Sequence, residues 1–145
     1  MTHDIAVAPA KAGAQFAAIE ARLDTHPDAS SLLHLAEEVL ASWVTARGQT
    51  PTAELREGFR LLELHHQGAA GLPSFNACRE TCREIAYHYN LLTLETPADA
   101  ERRQAMMAML VRHLVYFVGG KLQVEGLGDF CCASRPVRQE HATIE

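Results

Sequence analysis

Cys78 and Cys82 stand four residues apart. On a helix that spacing puts both thiols on one face, a turn apart. The face continues through Ile85, Tyr89 and Leu92, so both sulfurs are expected to point into a core. Two soft ligands on adjacent turns suit zinc or copper(I). The same pair also suits thiol redox chemistry. Cys78 falls in the first turn of its helix, where the N-terminus acidifies a thiol. Cys82 would then be the resolving thiol, with Glu84 or His88 as base. As packing alone, free cysteine behaves as a small hydrophobe.

Histidines widen the set. Glu63-Leu64-His65-His66 ends a helical stretch. His66 continues the Leu55, Phe59, Leu62 face, so it is expected to point inward. Glu63 and His66 make an E-x-x-H pair, which di-iron bundles use twice. No second E-x-x-H exists; Glu84 with His88, and His34 with Glu37, are only partial matches. His65 and His66 are also suited to satisfying the last carbonyls of a helix. His88 lies beside the cysteine face. His113 sits among Met109, Leu110 and Phe117, as a core histidine or a haem ligand would. Met106 and Met109 read as packing residues. Cys131-Cys132 follows in an irregular segment, where one of them could fold back to complete a site.

These residues need helices to hold them. Phe16, Ile19 and Leu23 mark a helix over 10–23, after a loose arm. Leu32, Leu35, Ala36, Val39, Leu40 and Trp43 mark a second over 28–47, stopped by Gly48. Thr50-Pro51 reads as a cap and first turn, predicting a third helix to Gln67. Gly68, Gly71 and Pro73 break the chain. Ser74 is expected to cap a fourth helix running to Leu92, and Thr96-Pro97 to start a fifth that ends at Gly119-Gly120. Leu122 to Glu125 alternates, predicting a short extended segment.

Length and composition agree with helices. The chain has 145 residues, enough for one domain whose core needs no disulfide. Alanine and leucine far outnumber valine and isoleucine, which favours helix over sheet. The expected architecture is all-α, an antiparallel bundle of about five helices over 1–133 with a polar tail over 134–145. The net charge is -5 and the only lysines are Lys11 and Lys121, so no basic stripe marks a nucleic-acid binder. No secretory signal opens the sequence. The longest apolar run, 105–118, is broken by Arg112 and His113 and is shorter than the roughly 20 residues of a membrane span. Cytoplasmic thiols rather than structural disulfides follow from this.

The leading expectation is a small cytoplasmic bundle binding a transition metal (zinc, copper or iron) or haem, with His65, His66, Cys78, Cys82, His88 and Glu63 as metal candidates and His113 as a cofactor ligand. No acid–base couple, phosphate loop or nucleophile elbow is present, so a binding role is favoured over catalysis. A rival reading is a cofactor-free adaptor acting through 97–118. That helix is apolar nearly all round, which predicts a homodimer or another protein partner. The third reading is a redox enzyme using Cys78 and Cys82. Helical alkylhydroperoxidases of the AhpD kind carry C-x-x-C followed by histidine. Here the spacing is C-x-x-x-C and His88 stands six residues beyond Cys82, so no resemblance to that family is drawn.

Overall fold

The computed structural model describes residues 2–95 and 97–126. Cys131, Cys132 and the expected tail over 134–145 lie outside the described residues. The chain is an all-α antiparallel bundle: α1 (Thr2–Leu23), α2 (Ala29–Ala46), α3 (Arg60–Ala69), α4 (Arg79–Asn90) and α5 (Ala100–Val124). A 3-10 helix, Pro73–Cys78, leads into α4, and a π-helix, Leu91–Glu95, leaves it. No strand occurs among the described residues.

Helices α2 and α5 form the centre, and each packs on the other and on α1 and α4. Leu32, Leu35, Val39, Leu40 and Trp43 of α2 meet Met107, Val111, Leu114, Val118 and Leu122 of α5, and all ten are fully buried. Burying each such side chain stabilises the fold by roughly 1.5–3 kcal/mol before chain entropy is counted. Asp28 caps α2 by accepting from the Ser31 N–H at 2.9 Å. Gly48, at φ +85°, ends the helix in the left-handed region.

Besides the starts of α4 and α5, three boundaries differ from the sequence reading. The first is α1, which begins at Thr2 rather than Ala10, in keeping with the helix preference of its alanine-rich start.

The second is α3, which begins at Arg60, not Pro51. Side chains of α3 take up the backbone groups that a helix over 50–52 would have used. Gln67 Nε2–H donates to Thr50 O at 2.8 Å, Thr52 N–H donates to Gln67 Oε1 at 2.9 Å, and Arg60 Nε–H donates to Thr52 O at 2.8 Å. A tight turn follows, closed by paired backbone bonds between Arg56 and Phe59, both 3.0 Å. Its central residues, Glu57 (φ +56°) and Gly58 (φ +86°), are both left-handed, the signature of a type I′ turn.

The third is α5, which runs through Gly119-Gly120 to Val124, so no extended segment starts at Leu122. Two glycines inside a helix cost about 1 kcal/mol each. Burial of Val118 and Leu122 on either side of them offsets that cost. Among the described residues α5 is also the one helix long and apolar enough to cross a membrane, with mean hydropathy 1.2 over its best window. Its packing on α1, α2 and α4 accounts for the buried part of that apolar surface, while Met106, Met109 and Tyr116 stay exposed.

Candidate functional site

Starting α3 at Arg60 turns its faces. The buried row is Leu61, Leu64, His65 and Gly68, at helical spacing. His65 therefore lies inside and His66 is exposed. This corrects the inward placement of His66, which assumed one continuous helix from Leu55; Leu55 is itself 63% exposed.

Gly68 brings α3 hard against α2. The Trp43 indole N–H donates to Gly68 O at 2.9 Å, and a Cβ at position 68 would meet Trp43 Cδ1 at 2.7 Å. The chain then reverses through Gly71, at φ +75°. The 3-10 turn that follows buries Phe75, whose ring stacks on Trp43 (4.6 Å, 10°) and on His65 (5.5 Å, 24°). This aromatic stack fixes where Cys78 and α4 begin. Ser74 does not cap the helix; Leu72 precedes the 3-10 turn and Cys78 itself stands at the N-terminal boundary of α4.

The Phe75 carbonyl is the hub of the site. His65 Nε2 lies 3.2 Å from it, and the Cys78 thiol donates to it at 3.4 Å. A carbonyl can only accept, so Nε2 carries the hydrogen. Cys78 and Cys82 are both buried and unbridged. A hydrogen bond from Cys82 is the largest influence on Cys78. Burial opposes it, while the hydrogen bond and charge of His65 reinforce it. Together they lower the Cys78 thiol from its ordinary 9.0 to about 6. The same bond, with burial, pushes Cys82 well above its ordinary value. The pair thus releases its first proton from Cys78 and keeps the second on Cys82.

A cleft of about 230 Å³ opens beside Cys82. Cys82, His65 and His66 line it, with Asn76, Arg79 and Arg83 from the 3-10 turn and α4, and Arg56 and Glu57 from the left-handed turn. Arg83 grips Glu57 with two hydrogen bonds of 3.1 Å, and Arg56 pairs with Glu63 at 2.8 Å. A second cleft, of about 470 Å³, lies between the α1–α2 turn and α5 and carries no thiol.

The remaining candidates do not join this site. Glu63 is committed to Arg56. His88 is buried, but it is pressed against Tyr87 and feels Arg103 and Glu84. Its Nδ1 has no hydrogen-bond partner. His113 is exposed, which corrects its expected place in the core. It stands on the α5 face turned away from the buried row of Val111, Leu114, Val115 and Val118. Among the described residues no group of three or more His, Cys, Asp or Glu converges to hold a metal ion. Histidine at position 65 was a candidate in the sequence, but its partnership with Cys78 was not legible. The signal was there in the row Leu61, Leu64, His65, Gly68 once a start at Arg60 is allowed.

No family model, curated protein or solved structure matches this chain.

Proposed function

We propose that Cys78 and Cys82 form a redox-active dithiol that reduces small hydroperoxides. The observation that carries this reading is the placement of two buried, unbridged thiols one helical turn apart, with the Cys78 thiol on the same Phe75 carbonyl that His65 bonds. A thiolate is the nucleophile in such chemistry, and one held with its pKa near ambient pH is well suited to attack. In the first step the Cys78 thiolate attacks the terminal oxygen of ROOH. An S–O bond forms, the O–O bond breaks, and the alkoxide takes a proton to leave as ROH. Cys82 then attacks the Cys78 sulfenic acid, forming the disulfide and releasing water. Two equivalents of a small thiol return the pair to the dithiol and leave as their own disulfide.

The disulfide is within reach but needs movement. Residues four apart on a helix have Cα atoms about 6 Å apart, inside the usual disulfide range of about 4.4–6.8 Å. Their Cβ atoms are about 5–6 Å apart, against about 3.8 Å in a disulfide. Cys78, at φ -99° and ψ 10°, sits at the junction of the 3-10 turn and α4. Local rearrangement costs least there, where the poorer bonds of a 3-10 turn, Arg79 N–H to Asn76 O among them, give way to the α-helix.

The metal and haem readings have less support. Two sulfurs and one imidazole without a further converging ligand fall short of a closed structural zinc site. Hydroperoxide consumption in the presence of dithiothreitol tests the proposal. Wild type is expected to turn over, Cys78→Ser to be inert, and Cys82→Ser to turn over only as fast as dithiothreitol itself reduces the Cys78 sulfenic acid. Turnover by Cys78→Ser would sink it.

A second reading concerns assembly and rests on a separate observation. Met106, Met109 and Tyr116 are exposed at helical spacing on α5, an apolar row that a second copy of the chain would cover by two-fold pairing. Such a homodimer would bury about 1,200 Å² or more. Light scattering is expected to give a dimer for wild type and a monomer for Met109→Asp. A monomeric wild type at micromolar concentration rejects it.

A further inference from the structure

The dithiol cycle requires a reductant, and the cleft beside Cys82 carries a chemical preference of its own. The chain as a whole is acidic, at -5, yet Arg56, Arg79 and Arg83 gather at this one cleft around a sulfur. Glu57 and Glu63 hold Arg83 and Arg56 in place. Arg79, the first residue of α4, makes no direct ion pair among the described residues, though its charge is felt by Glu57. It stands exposed at the start of α4, where the helix dipole favours an anion, while its own N–H is donated to Asn76 O.

The wall that carries Glu57 is built under strain. A non-glycine residue in the left-handed region is disfavoured, and Glu57 is held there by the fork of Arg83. Strained backbone that the surroundings maintain is concentrated at functional sites. The volume, about 230 Å³, is below the roughly 300–1,000 Å³ of drug-sized pockets, so it fits a small molecule or one end of it.

Resting on the dithiol reading, we propose that this cleft binds a small thiol bearing carboxylates and that this anionic thiol is the reductant that reopens the Cys78–Cys82 disulfide. Arg79 meets a carboxylate, with Asn76 beside it, and the thiol sulfur faces Cys82. The small thiolate attacks the Cys82 sulfur. A mixed disulfide forms there, the protein S–S bond breaks, and Cys78 leaves as the thiolate beside His65. A second small thiol attacks the sulfur of the first. That step forms the small disulfide and returns Cys82, which takes up a proton. Two thiols are oxidised and one protein disulfide is reduced.

The test uses the full chain, oxidised with hydrogen peroxide and mapped to establish the Cys78–Cys82 disulfide before any thiol is added. Second-order rate constants for reduction are then measured with glutathione (anionic), 2-mercaptoethanol (neutral) and cysteamine (cationic), each corrected for its thiolate fraction. Wild type is expected to prefer glutathione to cysteamine by roughly tenfold or more, as electrostatic steering allows. The preference is expected to shrink in high salt and to fall severalfold in Arg79→Gln, an exposed position where the change leaves the core intact. Equal rates for the three thiols in wild type, or an unaltered preference in Arg79→Gln, overturn the inference while the dithiol reading stands. No Cys78–Cys82 disulfide after peroxide overturns that reading and the inference with it.

Discussion

Cys82 lies one helical turn beyond Cys78, and its thiol, acting on Cys78 as a hydrogen-bond donor, holds the Cys78 thiol down while its own is pushed up. Burial alone would raise both. The asymmetry comes from position: Cys78 stands at the N-terminal boundary of α4 and against His65, while Cys82 lies one turn inside the helix.

Alkylation should expose this split. The iodoacetamide rate at Cys78, followed by peptide mapping, is expected to inflect near pH 6, with Cys82 unreactive through neutral pH. Cys82→Ala removes the largest lowering influence and is expected to move the inflection up. His65→Ala is expected to move it up by less. An inflection near 9 in the wild type would contradict the site's geometry.

Stability should follow the same protons. In the unfolded chain both thiols titrate near 9.0. Between pH 6 and 9 the unfolded state holds a proton on Cys78 that the folded state has released, so folding stability rises with pH in that window. Above 9 Cys82 reverses the trend, because the folded state then retains the extra proton. Urea unfolding at a series of pH values is expected to show the rise, and Cys78→Ala to flatten it. A wild-type profile that falls from pH 6 to 8 would be the wrong sign.

Gly68 is a packing requirement. Adding a methyl group there drives a Cβ to 2.7 Å from a Trp43 ring carbon and 3.3 Å from Phe75. A stacked ring in a filled core has nowhere to retreat. Gly68→Ala is expected to cost about 1–3 kcal/mol through overpacking and to disturb Cys78 through the displaced Phe75. Thermal melts with Trp43 fluorescence measure both effects, and an unchanged midpoint would show that α3 can back away.

His88 should appear on the acid side. Burial is the main cause that lowers its pKa below the ordinary 6.5, with Arg103 adding repulsion and Glu84 opposing. A group depressed in this sense favours the folded state fully above 6.5 and loses that contribution as pH falls towards its folded value. His88→Leu keeps the burial and removes the titration. The stability lost between pH 7.5 and 5 is expected to be smaller in the variant than in the wild type. An equal loss in both proteins would exclude His88 as a source of acid sensitivity.

The helices were legible where apolar spacing and stops agreed. The stripe from Leu32 to Trp43, ended by Gly48, reads directly as α2. Thr50-Pro51 misled, because its backbone is bound by Gln67 and Arg60 from a helix further along the chain. Such a long-range contact has no local signature, and it moved the phase of α3 by enough to exchange His65 for His66. Gly119-Gly120 misled for the opposite reason: tertiary burial of Val118 and Leu122 overrode the local preference to stop. Of the site, the Cys78–Cys82 face was legible from spacing. The arginine cleft was not, since Arg56 and Arg83 come together through a left-handed turn at Glu57 that a helical reading of 51–67 does not contain.

Peptide mapping after one equivalent of hydrogen peroxide tests the central claim most directly. Trypsin cuts after Arg79 and Arg83, so Cys78 and Cys82 fall on separate peptides, distinct from those of Cys131 and Cys132. The dithiol account predicts a linked pair of peptides joining Cys78 to Cys82, short of two hydrogen atoms and separated again by reductant. Two unlinked peptides with free thiols, or Cys78 carried irreversibly to sulfinic acid with Cys82 untouched, would contradict it.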